Sequence, residues 1–329
     1  MKDFPREKIF EIKEREEFDS LALELFKIQT GRSQVYLDYI SALGVNPRMI
    51  RNVLDIPFLP IELFKSHKII SGNGKETVIF ESSGTTGENT SRHYVTDLSL
   101  YEESFTRGFR QFYGDPCDYF IAALLPSYVE RENSSLIYMV DNLIRSGMDS
   151  RSGFYLDPDE KLVRILEEVS GEKKKAMVIG VSFALMDLAE KYSPDLSGLT
   201  IVETGGMKGR RKEITREELH EFLMKRFNTG AIHSEYGMTE LLSQAWSYRN
   251  GIFHTPPWMK IMIREINDPF AIIGDSGITG GINIIDLANI NSCAFIATND
   301  LGRLHEDGGF EVLGRFDNSD TRGCNLLIG

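Results

Sequence analysis

The chain has 329 residues, 37 of them basic and 49 acidic, for a formal charge of −12. That length fits one large α/β domain or two ordinary ones, with enough core to stand without disulfide or metal staples. The acidic balance argues against nucleic acid and against an anionic membrane surface, since both demand compensating Lys and Arg. Cys117, Cys293 and Cys324 lie far apart with no CxxC pair, which disfavours a zinc knuckle and fits a reducing compartment. The N-terminus is polar and charged, and the longest apolar run, 119–126, is too short for a membrane span. A cytoplasmic protein is the expectation.

Residues 1–75 read as a helical N-terminal segment. Phe18, Leu21, Leu25 and Ile28 share one helical stripe, and Val35, Tyr39 and Leu43 repeat the spacing before Gly44. Pro47, Pro57 and Pro60 then break regular structure, and the apolar run 56–64 is expected to pack against a larger body. From 76 to about 235, strand and helix signals alternate. Strands are predicted at 77–80, 119–125, 176–179 and 199–203, and helices at 98–112, 134–144, 162–169, 183–192 and 215–227. The last of these opens with Thr-x-x-Glu, a capping-box pattern. This order predicts a mostly parallel sheet covered by helices. After Glu240 the helical signal stops. Strands at 259–266, 281–286, 294–298 and 309–313 predict a β-rich lobe.

The segment Phe80-Glu-Ser-Ser-Gly-Thr-Thr-Gly87 follows a strand signal. Gly84 and Gly87 let several backbone N–H groups turn toward one point, and Ser82, Ser83, Thr85 and Thr86 add hydroxyl donors. Such a loop can cradle phosphates, although no Gly-Lys-Ser/Thr of a Walker A loop follows. By composition alone it could equally be a plain surface loop. Three further segments stand in order downstream: Glu203-Thr-Gly-Gly206, His233-Ser-Glu-Tyr-Gly-Met-Thr-Glu240 and Thr298-Asn-Asp-Leu-Gly302, followed by Gly314-Arg-Phe-Asp317. Taken singly, these read as a strand-to-loop turn, a capped helix start at Thr239 and a β-turn.

Together the segments resemble the motifs of the adenylate-forming superfamily of acyl-CoA synthetases, adenylation domains and luciferases. The resemblance implies an α/β fold with mostly parallel sheets, flanking helices and a β-rich C-terminal lobe. It implies an ATP-binding adenylation domain over 76–313 and a hinge with a cysteine-bearing tail over 314–329, without the small C-terminal domain of the wider superfamily. It places ATP phosphates on Ser82, Ser83, Gly84, Thr85, Thr86 and Gly87, with Arg92 replacing the lysine usual near the loop, where this chain has Thr90. It places adenine along Gly205 and Gly206 and against Tyr236 and Gly237, with Glu235 accepting from the adenine amino group. Thr239 would meet phosphate, and Glu240 would carry Mg²⁺. Asp300 would accept the ribose hydroxyls, and Arg315 would approach ribose or phosphate. His93 and His233, beside these motifs, would act on the substrate carboxylate or bond the backbone. Trp246, Phe253 and Trp258 would border the acyl pocket or fill the core.

Within the superfamily, the length, the segment 125–136 and Arg322-Gly-Cys-Asn-Leu326 resemble the LuxE family of acyl-protein synthetases. That resemblance implies activation of a carboxylic, typically fatty, acid as its acyl-adenylate. The acyl group would pass to Cys324 and then to a partner protein such as an acyl reductase. A thiolate suits such a covalent relay, and Arg322 would favour it; the bland alternative for Cys324 is a small buried residue. An acyl- or aryl-CoA ligase and a non-catalytic nucleotide- or acyl-binding protein are the other readings.

Overall fold

The structure is a computed structural model, describing residues 4–82, 90–126, 133–172, 174–205 and 214–316. Ser83, Gly84, Thr85, Thr86, Gly87, Gly206 and Cys324 lie outside the described residues.

Nine α-helices are described: α1 (Arg6–Ile9), α2 (Arg15–Arg32), α3 (Gln34–Ala42), α4 (Leu63–Ser66), α5 (Leu98–Tyr113), α6 (Ser135–Ser146), α7 (Glu160–Gly171), α8 (Ser182–Lys191) and α9 (Arg216–Phe227). The strands are β1 (Leu59–Pro60), β2 (Val78–Glu81), β3 (Arg92–Val95), β4 (Tyr119–Leu124), β5 (Gly153–Phe154), β6 (Lys175–Val181), β7 (Thr200–Thr204), β8 (His233–Tyr236), β9 (Ala245–Ser247), β10 (Ile252–His254), β11 (Met259–Arg264), β12 (Ile272–Ile273), β13 (Gly280–Asp286), β14 (Phe295–Leu304) and β15 (Phe310–Arg315). Thirteen strands form one sheet in the order β12-β11-β13-β14-β15-β10-β9-β8-β7-β6-β4-β5, with β1 alongside β14; β2 and β3 form a separate hairpin. The fold is therefore the expected α/β class.

The sheet changes character at β8. β5, β4, β6, β7 and β8 run parallel, and each pairing from β8 through β9, β10, β15, β14, β13 and β11 to β12 is antiparallel. β4 (YFIAAL) and residues 176–181 of β6 are buried throughout. Continuous apolar strands of this kind belong to a parallel sheet covered on both faces. Helix α9 carries the predicted capping box, with Thr215 accepting from Glu218 N at 3.2 Å and Glu218 from Thr215 N at 2.9 Å.

The N-terminal helices are clasped to the antiparallel half. Gln29 of α2 is fully buried, and its amide donates to the carbonyls of Asn289 (2.8 Å) and Ile290 (3.0 Å) and accepts from Ala294 N (3.0 Å). The proline-rich run 56–64 adds β1, parallel to β14.

Two sequence readings are corrected, and two strands are added. The strand predicted to stop at Thr298 runs to Leu304, because Thr298–Asp300 form a bulge within it and not a terminating turn. The short strands β9 and β10 carry no period long enough to detect, yet they join the two halves of the sheet. No helix starts at Thr239; Asp286 takes the backbone N–H groups of Leu242 and Ser243 instead, fixing a turn.

Candidate active site

The carboxyl end of β8 meets β14 and β15, and three of the residues singled out in the sequence, Tyr236, Asp300 and Arg315, come together there. Tyr236 ends β8, and its hydroxyl donates to Asp300 Oδ2 at 2.8 Å. Arg315 Nε donates to Asp300 Oδ1 at 3.1 Å. The Asp300 carboxylate is nearly buried, whereas the Arg315 side chain is 80% exposed. Burial and the neighbouring Asp300 carboxylate both raise the Tyr236 phenol well above its usual range, so it stays a neutral donor. The Tyr236 ring packs against Phe253 and Phe310 at centroid distances of 5.8 and 5.6 Å.

The second cluster surrounds Glu240. Its carboxyl is 4% exposed, raised in pKa by burial, and bonded by the Ser91 side chain. Its carbonyl accepts from Asn289 Nδ2 at 2.9 Å. Ser82 and Ser91 bond each other twice at 3.0 Å, Ser82 N to Ser91 O and Ser91 N to Ser82 Oγ, closing the neck of the glycine–hydroxyl segment. His93 Nδ1 lies 2.9 Å from the Thr239 carbonyl, an acceptor only, so Nδ1 carries the proton. Burial lowers the His93 pKa to about 4, outweighing that bond. His93 is thus a neutral tie between β3 and the Thr239–Glu240 turn.

Arg92 is placed differently from a buried phosphate clamp. Its Nε donates to Glu81 Oε1 at 3.0 Å across the exposed face of the β2–β3 hairpin. His233 is bonded to the Tyr113 hydroxyl at 3.2 Å, and burial lowers its pKa to about 4. Trp246 and Phe253 are core side chains, and Trp258 Nε1 donates to the buried hydroxyls of Ser104 and Ser243 at 3.0 Å. Gly237 lies exposed in the turn after β8.

Two carboxyl groups on neighbouring strands are driven apart. On β8, Glu235 is raised to about 7 by burial and by the nearby Glu203, against the opposing bond from Thr204 Oγ1 at 2.5 Å. On β7, burial pushes Glu203 up, but His220 Nε2 at 3.6 Å and Arg216 Nε at 3.2 Å outweigh it and hold it below the usual range. Past β7, Gly205 adopts φ +70°, a left-handed turn that suits glycine, and its carbonyl accepts from Ser182 Oγ at 3.3 Å.

No protein-family model and no curated protein matches the sequence. Solved structures do match in fold. 2-Hydroxyisobutyryl-CoA ligase in complex with 2-HIB-AMP aligns with a TM-score of 0.65 at 13% identity, covering 92% of this chain and 69% of the ligase. The fold is that of the adenylate-forming enzymes. ATP-bound MatB from Rhodopseudomonas palustris aligns with a TM-score of 0.55 at 17% identity, covering 74% of this chain and 49% of MatB. McyG A-PCP complexed with phenylalanyl-adenylate gives 0.54 at 14% identity, with 73% and 47% covered. The chain thus spans about half the length of the MatB structures it matches.

In this fold the candidate site lies outside the carboxyl ends of parallel strands, where open α/β sheets receive ligands. Among the described residues no three His, Cys, Asp or Glu side chains gather around a common point, and no helix is long and apolar enough to cross a membrane. Glu240 with the hydroxyl of Ser91 fits a Mg²⁺ ion that draws its other ligands from phosphate oxygens and water. Sequence reading missed Arg216, Asp286 and Arg264. Each acts through contacts between distant segments, and no motif marks them.

Proposed function

We propose that the chain activates a carboxylic acid by adenylation. The observation that carries this reading is the meeting of Tyr236, Asp300 and Arg315 beside the Glu240 turn, at the closed neck of the glycine–hydroxyl segment. Asp300 offers an acceptor surface to ribose hydroxyls, and Gly205 with Tyr236 and Gly237 borders the adenine. Glu235 and the Ser82–Gly87 segment complete the nucleotide contacts with Gly206 and Thr239. Arg92 could reach the phosphates only by leaving Glu81. A carboxylate oxygen of the acid attacks the α-phosphorus of ATP, and the bond to pyrophosphate breaks. Arg315, whose side chain is largely exposed, meets the charge gained by the phosphoryl oxygens. Mg²⁺, held by Glu240 and phosphate oxygens, would supply further neutralisation there.

The acyl-adenylate then passes to a thiol. In the finer reading, Cys324 attacks the acyl carbon, AMP leaves, and the thioester is handed to an acceptor protein such as an acyl reductase in the cytoplasm. The support for this step is the sequence resemblance around Arg322–Leu326 to acyl-protein synthetases of fatty acids. A CoA ligase is the second reading, favoured by the structural likeness to 2-hydroxyisobutyryl-CoA ligase, a structure also described with 2-HIB-AMP and CoA.

Intact mass after incubation with MgATP and mixed fatty and aromatic acids, without CoA, separates them. An adduct labile to hydroxylamine and lost in Cys324→Ser supports the relay. Pyrophosphate release without an adduct supports adenylation with an external thiol. Neither product from a folded, ATP-binding chain refutes catalysis with these acids and turns the reading to a nucleotide-binding protein.

A further inference from the structure

The strand that carries Asp300 is distorted beside it. Ala297 of β14 pairs with Asn283 of β13, but Leu301 pairs with Gly281. Thr298, Asn299 and Asp300 therefore stand opposite one residue, Ile282. A bulge re-aims side chains and takes backbone groups out of the ladder, and those groups need partners.

Arg264, the last residue of β11, supplies them. Its Nη1 donates to Ile282 O and to Asn283 Oδ1, both at 2.8 Å, and its Nη2 donates to Thr298 O at 2.6 Å. Thr298 Oγ1 donates to Ile282 O at 2.9 Å and accepts from Asp300 N at 3.1 Å. The guanidinium crosses β13 over Gly281, where a Cβ would lie 2.5 Å from Arg264 Cζ. Phe316 covers it at 5.4 Å, and Phe316 N donates to Asn299 O at 2.8 Å. Arg264 is 8% exposed and makes no ion pair with a carboxylate among the described residues. A buried cation spent entirely on carbonyls and an amide is costly unless the shape it holds matters.

We propose that Arg264 is a positioning residue of the nucleotide site: it fixes the Thr298–Asp300 bulge so that the Asp300 carboxylate meets Tyr236 and Arg315, and thereby sets selection for the ribose hydroxyls. The inference rests on reading Asp300 as the ribose acceptor. Lysine cannot replace Arg264, because a point charge does not span three acceptors in a plane.

The test compares dissociation constants of ATP, 2′-deoxy-ATP and 3′-deoxy-ATP for the full chain, Arg264→Lys, Gly281→Ala and Asp300→Asn, each checked by thermal melting. Hydrogen bonds to a charged group predict that the unaltered chain prefers ATP by about 10- to 100-fold. Arg264→Lys and Gly281→Ala should lose most of that preference while keeping the affinity for the deoxynucleotides. Uniform weakening of all three nucleotides, or full preference in either folded variant, overturns the role of Arg264 when Asp300→Asn does lose the preference. If Arg264→Lys fails to fold, Gly281→Ala decides, since it displaces the guanidinium without removing it. A preference untouched by Asp300→Asn, or no ATP binding by the unaltered chain, overturns the ribose reading and the inference with it.

Discussion

Along β5, β4, β6, β7 and β8 the strands run parallel between helices, and what they offer to chemistry sits at their carboxyl ends: Gly205 after β7, Tyr236 and the Glu240 turn after β8. Across β9 to β15 the order is reversed. There Asp300 lies inside a strand, beside a bulge, and is held by side chains from two other strands, Tyr236 of β8 and Arg315 of β15. The parallel half stands mainly on apolar burial, with Phe120, Ile121, Val178, Ile179, Ile201 and Val202 all at or below 2% exposure, and its buried polar ties gather around Glu203 and Thr204. The antiparallel half relies in addition on buried polar clasps, Gln29, Arg264 and Asp286 among them. The hydrophobic force is non-directional, whereas a polar clasp specifies the direction and distance of each bond. A site that spans the junction can therefore take position from one half and orientation from the other.

The largest expected effect tests the junction itself. Glu240→Ala should lower pyrophosphate release by about 100- to 1,000-fold, the range for losing one preorganised electrostatic contact. The melting temperature should stay near that of the unaltered chain, since the backbone of Ser91 keeps both bonds to Ser82 and Asn289 keeps the carbonyl of residue 240. Full adenylation in this variant would remove Glu240 from the chemistry and leave it a buried strut.

Next comes a clasp. Asp286 is fully buried and accepts from Leu242 N, Ser243 N, Ser243 Oγ and Ala288 N at 2.6–3.1 Å. Asp286→Ala orphans these donors, and a loss of about 3 kcal/mol or more is expected in chemical denaturation. A loss below about 1 kcal/mol would show that the antiparallel half does not depend on such clasps.

The boundary strand predicts a pH effect of known sign. Glu235 is held at about 7 in the folded chain, above its ordinary value of 4.5, so the folded state binds the proton more tightly than the unfolded state. Its contribution is fully favourable below pH 4.5 and is lost as pH rises toward and past 7. Glu235→Gln should therefore leave stability little changed at pH 5 and raise it at pH 8, by up to about 3 kcal/mol. Equal stability of variant and parent at both pH values would mean the carboxyl stays hydrated.

The same contrast explains what could be read in advance. Leu98–Tyr113, Tyr119–Leu124, Ser182–Lys191 and Arg216–Phe227 appear within a residue or two of their expected bounds, because period and capping are local signals. Motif order singled out Tyr236, Asp300 and Arg315, which the fold joins by hydrogen bonds, and Glu240 in the turn after β8. The bulge was not legible: Thr-Asn-Asp-Leu-Gly has the composition of a turn, and the bonds that go with its place in a strand come from distant residues, Arg264, 34 residues from Thr298, among them. Arg216 is equally silent in sequence, although it bonds Glu203 of β7 and the Val312 carbonyl of β15 (3.0 Å) and so bridges the two halves.

The smallest effect belongs to the parallel half and calibrates the comparison. Thr215 caps α9 with both bonds of a capping box on an exposed surface. Thr215→Ala removes the hydroxyl bond to Glu218 N, while water can replace it, so a loss of about 1 kcal/mol is expected. Chemical denaturation of Thr215→Ala beside Asp286→Ala measures the difference directly. If the cap costs as much as the clasp, polar anchoring is shared by both halves, and the division between a parallel scaffold of apolar burial and an antiparallel one of fixed polar geometry fails. If the clasp costs about three times more, the antiparallel half depends on fixed polar geometry that the cap of the parallel half does not match.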